Sequence, residues 1–278
     1  MCLKVSYAFL LKEFAMRLRL KPARRFTFGA LAVLGLLTYA VYTYARPLWV
    51  PVYRQLEGQR TVQDVIDRYG PAAEARLKPF FTEAKAPYPP SHITLLAIKD
   101  ENKLELWTEE KDEKFLIRAY KIQAASGVGG PKLREGDRQV PEGIYQLEYL
   151  NPNSLYHLSM KINYPNTFDR AMAAQENRTG LGGDIFIHGK AVSIGCLAMG
   201  DTAIEELFTL AAKSGLKNVK VIIAPSDPRK HKIAALAQDQ PKWVTGLYAD
   251  ISAGFSVYTL FPNHSAANTT DSFMQKCH

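Results

Sequence analysis

The chain has 278 residues, 47% apolar and 22% charged, proportions that exclude a wholly disordered polymer and allow one sizeable domain with appendages. Its net charge of +8 is concentrated at one end: residues 1–25 hold seven Lys or Arg against Glu13 alone, which leaves +2 for residues 26–278. A basic face for nucleic acid is therefore not indicated, and no nucleic-acid partner is expected.

Residues 1–25 read as a cytoplasmic basic segment. The nineteen residues from Phe26 to Tyr44 then carry no charge. At helical rise such a run reaches roughly 30 Å, the thickness of a bilayer hydrocarbon core. Bases before it and few after it place the N-terminus inside, and Tyr39, Tyr42, Tyr44 and Trp49 gather toward the far end like an interfacial belt. A cleavable signal peptide has a shorter apolar core and a small-x-small site, so an uncleaved single-pass anchor in the inner membrane is expected over 26–44, with the remainder in the periplasm. Residues 45–90 read as a juxtamembrane linker and short helices. Thr61 starts a helix with Val62, Val65, Ile66 and Tyr69 on one face, Gly70-Pro71 stops it, and a second helix runs toward Pro79.

From His92 the apolar period changes to two. Strands are expected over 92–99, 103–108, 115–125, 144–150, 155–162 and 184–188, separated by Gly- and Pro-rich turns. Thr202-x-x-Glu205 is a capping-box pattern before an apolar helical face of Ile204, Leu207, Phe208 and Ala211. Gly215 ends that helix and 219–224 returns as a strand. Residues from about 229 to 260 fit no single pattern, and the Asn/Ser/Thr-rich end after Pro262 reads as a loose tail.

The segment with chemistry in it is Asp184-Ile-Phe-Ile-His-Gly-Lys-Ala-Val-Ser-Ile-Gly-Cys196. A strand delivers His188, Gly189 permits a sharp exit, and Ser193-Ile-Gly195 leads into Cys196. A thiol needs a neighbouring base to become a nucleophile near neutral pH, and an imidazole is the usual device. Gly195 lets backbone N–H groups converge beside the sulfur, as an oxyanion hole requires. Spacing alone leaves a structural Cys/His pair open. Three cysteines cannot all pair within one molecule; with Cys2 on the cytoplasmic side, a Cys196–Cys277 disulfide is chemically permitted and would silence the nucleophile. A zinc site from His188, Cys196, Cys277 and His278 has no further support, so no metal or cofactor is expected.

His-Gly followed by Ser-x-Gly-Cys resembles the signature of the YkuD-type L,D-transpeptidase domain. The compact spacing, with Ala198-Met199 after it, resembles the YafK-like branch. Arg134-Glu-Gly-Asp-Arg-Gln-Val-Pro-Glu-Gly-Ile-Tyr145, Asn163-Tyr-Pro-Asn-Thr-Phe-Asp-Arg170 and Arg178-Thr-Gly180 are similar to that branch as well. The resemblance implies a mainly β fold, a β-sandwich with a few helices, over residues 91–226, with 227–278 as a C-terminal extension and tail.

It implies a substrate too: the peptidoglycan stem peptide, attacked by Cys196 at the L-centre carbonyl of meso-diaminopimelate. His188 would be the base, the Gly189 carbonyl would orient its ring, and amides at Gly195 and Cys196 would hold the oxyanion. Tyr164, Arg170, Arg178 and Ser193 are placed near the substrate, the arginines because a guanidinium binds a carboxylate with two parallel hydrogen bonds. The thioester could pass to an amine or to water. The YafK-like branch pulls toward hydrolysis, with a wall-bound envelope lipoprotein as one partner. The alternative from another class is a non-catalytic membrane-anchored scaffold that binds the wall.

Overall fold

The computed structural model describes residues 22–259, so Cys2, Cys277 and the tail after Pro262 lie outside it. The chain divides at Gly58/Gln59 into two units. The first holds α1 (Pro22–Tyr44) and α2 (Arg46–Glu57). Trp49 Nε1 donates to the Val41 carbonyl, and its ring stacks on Tyr42 at 5.7 Å. Among the described residues no helix is long and apolar enough to cross a membrane. The spanning helix expected over 26–44 is therefore not supported. Side chains 26–29 lie outside the description, and the remainder of the run is diluted by Thr38, Tyr39, Tyr42 and Thr43.

The second unit opens with α3 (Val62–Glu83), capped reciprocally by Thr61 and Asp64. It is one helix, where the sequence suggests a stop at Gly70-Pro71 and a second start. An interior proline costs about 3 kcal/mol. Burying a large apolar side chain returns about 1.5–3 kcal/mol. Here Val65, Leu77 and Phe81 are all buried, so packing outweighs the break.

Nine strands follow in one continuous sheet: β1 (His92–Ile98), β2 (Lys103–Glu110), β3 (Glu113–Lys121), β4 (Ala124–Ala125), β5 (Gly143–Asn151), β6 (Ser159–Ile162), β7 (Phe186–His188), β8 (Leu197–Ala198) and β9 (Val219–Ala224). The spatial order is β3-β2-β1-β9-β5-β6-β7-β8-β4. The expected sandwich is thus a single curled sheet, with β5 belonging to both halves. Its residues 143–146 pair with β9, and 147–151 pair with β6 across a register shift at Leu147/Tyr149. Such an irregularity adds twist and bends a strand.

Helices cover both faces. α5 (Asp201–Ser214) packs on α3 and on β1, β6 and β7, burying Ile204, Leu207, Phe208, Leu210 and Ala211. On the other face α6 (Val244–Ser256) lays Leu247, Tyr248, Ile251 and Phe255 against β5 and β9. That helix fills much of the stretch the sequence leaves unplaced. A short α4 (Thr167–Gln175), capped reciprocally by Asn166 and Asp169, is a second helix not anticipated. The Thr202/Glu205 capping box does not form. Gly200 is the N-cap, Asp201 bonds Lys190, and Glu205 turns to Arg76 and His157.

Beside it, Glu206 has no exposed side-chain surface and joins three elements through Arg76, Arg118 and the Tyr120 hydroxyl, at 2.7, 2.8 and 3.0 Å. Removing one partner of a buried charged group leaves the others unsatisfied. Both arginines remain about a third exposed, which softens the loss. Glu206→Ala is expected to lower stability by about 2–3 kcal/mol, read as a lower urea midpoint at unchanged slope. A midpoint equal to the parent's would mean the cluster adds nothing.

Candidate active site

β7 ends at His188, and the chain returns through residues 189–196 to β8, which runs parallel to β7 with Ile187 opposite Leu197 and His188 opposite Ala198. That register sets Cys196 beside Phe186, whose N–H donates to Sγ at 3.4 Å. The thiol itself points to the Asp184 carbonyl at 3.8 Å. The return is fastened by Met199 N–H to the His188 carbonyl, 2.7 Å, and by Lys190 N–H to Asp201 Oδ1, 2.9 Å. Gly195 has φ +94°, a left-handed conformation that favours glycine and turns the chain into Cys196.

His188 is buried, with Nδ1–H donating to the Gly189 carbonyl at 2.6 Å. That bond fixes the tautomer and leaves Nε2 as the ring's lone-pair nitrogen. The Tyr156 ring lies on the imidazole, with centroids 4.8 Å apart and planes at 35°. Gly189 must be glycine for a steric reason. A Cβ there would sit 2.6 Å from the Tyr156 carbonyl and 2.8 Å from Asp201 Oδ1.

Burial acts on both reactive groups in the same sense, against charge. It lowers the His188 pKa, with the Gly189 hydrogen bond opposing. It raises the Cys196 pKa, opposed by the Phe186 N–H and the Lys132 ammonium and aided by Asp184. Both shifts act against a resting thiolate–imidazolium pair. Lys132 is itself buried and held by Asp137 at 2.5 Å.

With this geometry in view, residues 94–223 match the family model of the L,D-transpeptidase catalytic domain, YkuD. By that match and by the relatives that follow, this segment is similar to YkuD-type L,D-transpeptidase catalytic domains. The putative L,D-transpeptidase YafK of Escherichia coli strain K12 is 36% identical over 152 residues, covering 51% of this chain and 59% of that protein. The same figures hold for YafK of strain O157:H7. Among solved structures, the helical cell shape determining protein Pgp2 of Campylobacter jejuni aligns at TM-score 0.41 and 19% identity, covering 59% of this chain and 67% of that one. Bd1075 of Bdellovibrio bacteriovorus aligns at TM-score 0.35 and 27% identity, covering 49% of this chain and 48% of that one.

Within this segment the residues singled out from sequence separate into groups. Cys196, His188, Gly189, Gly195 and Ser193 come together at the β7–β8 return. Their amides are not open, however. Gly195 N–H donates to Ser126 Oγ at 2.5 Å and Cys196 N–H to Ser193 Oγ at 3.0 Å, so both donors assigned to an oxyanion hole are engaged. Ser193 Oγ also donates to the Cys196 carbonyl at 2.6 Å, which closes the turn on itself.

Tyr164 is a core residue, 3% exposed and edge-on to Tyr145, although its outer rim reaches a pocket beside Asp184. Arg178 is tied to Glu176 and the Leu133 carbonyl and lies over Trp243, so it pins a loop. Arg170 lies exposed on α4 and makes no ion pair among the described residues. Asp169 serves as the α4 cap, and burial pushes its carboxyl up to about 6.

Sequence reasoning missed Ser126, Lys132, Tyr156 and Phe186. Ser126 and Lys132 come from the loop between β4 and β5 and Tyr156 from the turn before β6, where no local pattern marks them; Phe186 lies on β7 itself, but its contact uses backbone alone.

Two outcomes follow for this site. Alkylation of Cys196 by iodoacetamide, followed by peptide mass spectrometry, is expected to accelerate with pH through a midpoint above the ordinary thiol range of about 8.5, because burial disfavours the thiolate. A midpoint below that range would mean a resting thiolate–imidazolium pair. Gly189→Ala is expected to unfold at a temperature at least about 4 °C lower than the parent, since the new methyl meets a main-chain oxygen that cannot swing away. An unchanged melting temperature would mean that the return tolerates a side chain.

Proposed function

We propose that the domain catalyses acyl transfer on peptidoglycan stem peptides through a thioester on Cys196. The observation that carries this reading is the hydrogen bond from His188 Nδ1 to the Gly189 carbonyl, 2.6 Å, which leaves Nε2 as the lone-pair nitrogen on the strand whose Phe186 N–H donates to Cys196 Sγ. A binding module has no need of an imidazole locked in its basic tautomer next to a cysteine.

In the proposed reaction Sγ attacks the carbonyl carbon on the L-centre of meso-diaminopimelate while its proton passes to His188 Nε2. The tetrahedral intermediate collapses by breaking the C–N bond, and the imidazolium returns the proton to the departing amine. A second amine, or water, then attacks the thioester, loses its proton to the same imidazole and frees Sγ. The oxyanion takes up an amide at Gly195 or Cys196 only if it displaces Ser126 Oγ or Ser193 Oγ. The water-accepting outcome makes the domain an L,D-amidase, and a wall-bound lipoprotein is a donor of the same chemistry.

The location proposed is the periplasmic side of the inner membrane, where stem peptides lie. Its support is that substrate together with the basic block of residues 1–25 ahead of the uncharged run 26–44. The described residues supply no spanning helix.

Intact-mass spectrometry tests the chemistry. The full chain, incubated with a disaccharide-tetrapeptide or with a carbapenem, is expected to gain an acyl adduct that is lost in Cys196→Ser. Product masses then separate amine from water as acceptor. His188→Ala is expected to slow adduct formation by about 10²–10⁴-fold, the usual share of a general base. Absence of an adduct on the reduced parent with either compound would leave the chain without its thioester chemistry and favour a wall-binding scaffold.

A further inference from the structure

The ring that rests on His188 comes from outside the β7–β8 return. Tyr156 stands in the turn that leads into β6, and its half-buried ring lies 4.8 Å from the imidazole centroid with the planes at 35°. Its hydroxyl makes no hydrogen bond among the described residues, so the site receives the ring face and not the phenol. Such a face carries negative potential and attracts a cation placed over it.

The turn is fastened from several sides. Tyr156 N–H donates to Ser154 Oγ at 3.1 Å, and the Tyr156 carbonyl accepts from Leu158 N–H at 3.1 Å. Arg60, just ahead of α3, donates to the carbonyls of Pro152 and His157 and exchanges two hydrogen bonds with Asn153. His157 has φ +77°, a left-handed backbone that a residue with a side chain keeps only where its surroundings hold it. The hold comes through its own ring. Nε2 meets Glu205 Oε1 of α5 at 2.9 Å, and the Tyr69 ring of α3 stands edge-on at 5.1 Å. Two helices and Arg60 thus converge on a turn that delivers an aromatic ring to the base.

The other titratable groups around the imidazole are Cys196 on the return, Lys190 and Asp201, which pair with each other, and His157, which bonds Glu205. Among the described residues none of them bonds the His188 ring, whose hydrogen bond goes to the Gly189 carbonyl. A proton leaving Sγ for Nε2 therefore makes a buried cation with no carboxylate in contact. Beyond the Gly189 carbonyl, the group placed to answer that charge is the Tyr156 face.

We propose that Tyr156 is a positioning residue, whose π face holds the His188 imidazole in place and steadies the imidazolium formed when the thiol proton arrives. The role rests on the acyl-transfer reading, in which Nε2 takes that proton.

The full chain is prepared with isotope-labelled histidine and the His188 ring is titrated by NMR, its signals assigned by their loss in His188→Gln. Tyr156→Phe keeps the face and is expected to titrate with the parent. Tyr156→Leu and Tyr156→Met cover the imidazole without a π face. Their midpoints are expected at least about half a pH unit lower, the scale of one cation–π contact. Loss of cover alone would admit water and move the midpoint upward instead. Carbapenem acylation, followed by intact mass, is expected to be at least about threefold slower in both, the factor that half a unit represents, and near the parent rate in Tyr156→Phe. Midpoints unchanged or raised in Tyr156→Leu and Tyr156→Met overturn the proposal, as does a Tyr156→Phe variant that falls with them or an acylation rate indifferent to the ring. Failure of the acyl-transfer reading is seen separately: a parent that takes no adduct argues against it, while the titration midpoints still decide whether Tyr156 supports the imidazolium.

Discussion

The parallel pairing of Ile187 with Leu197 and of His188 with Ala198 is the constraint on which the rest of the site depends. Parallel neighbours normally need a crossover of a dozen or more residues. Here eight residues suffice, because β8 is only two residues long and the connection is fastened rather than wound around the sheet. Lys190 is held by Asp201 through its N–H and its ammonium, and Gly200 N–H closes on the Lys190 carbonyl. Since Leu197 lies opposite Ile187, the residue before it must lie near Phe186. The position of the sulfur is thus a consequence of strand register, and a slip of one residue would turn Cys196 to the opposite face.

Burial then sets the protonation state. A deeply packed imidazole keeps its ring fixed between Tyr156 and the Gly189 carbonyl, and the same packing withholds its charge. Burial likewise acts against the thiolate, although the Phe186 N–H and Lys132 favour the anion. Both shifts therefore oppose a standing thiolate–imidazolium pair.

What the sequence makes legible follows from what is local. The period-two segments over 92–99 and 103–108 give β1 and β2 to within two residues, although the structure buries both faces of these strands, so that burial does not alternate along them. His188, Gly189, Gly195 and Cys196 stand close together in the chain and so read as one motif. Other features depend on tertiary context. Thr202 and Glu205 satisfy a capping pattern, yet Lys190 claims Asp201 and Arg76 claims Glu205, so the helix begins elsewhere. Gly70-Pro71 reads as a stop until α5 supplies the surface that rewards continuation. Arg178 carries the chemistry of a carboxylate ligand, but Glu176 and Leu133 occupy it. The occupied amide at Gly195 depends on Ser126, almost seventy positions away, which no spacing rule reaches, while that at Cys196 is held by Ser193 within the same turn.

The loop that brings Ser126 and Lys132 to the thiol raises a last question, why a buried ion pair underlies it. Lys99 and Glu142 meet at 2.8 Å, with the Glu142 side chain fully enclosed. Replacing such a pair with apolar groups often costs nothing in stability. Here the surroundings forbid that exchange. Lys99 Nζ also donates to the carbonyls of Val128, Gly130 and Val140, while Glu142 accepts from Gly130 N–H and the Tyr248 hydroxyl. Loop residues 127–142 have no ladder to satisfy their main-chain groups, so donors and acceptors must come from side chains. Apolar substitutes would fill the space and withdraw these partners from the Val140 carbonyl and the Gly130 N–H, whereas the Val128 and Gly130 carbonyls also accept from Gln139 Nε2. The pair also joins α6, on one face of the sheet, to the loop beside Cys196. The helix beyond the strands that form the site therefore helps to hold Ser126 and Lys132 within reach of Cys196.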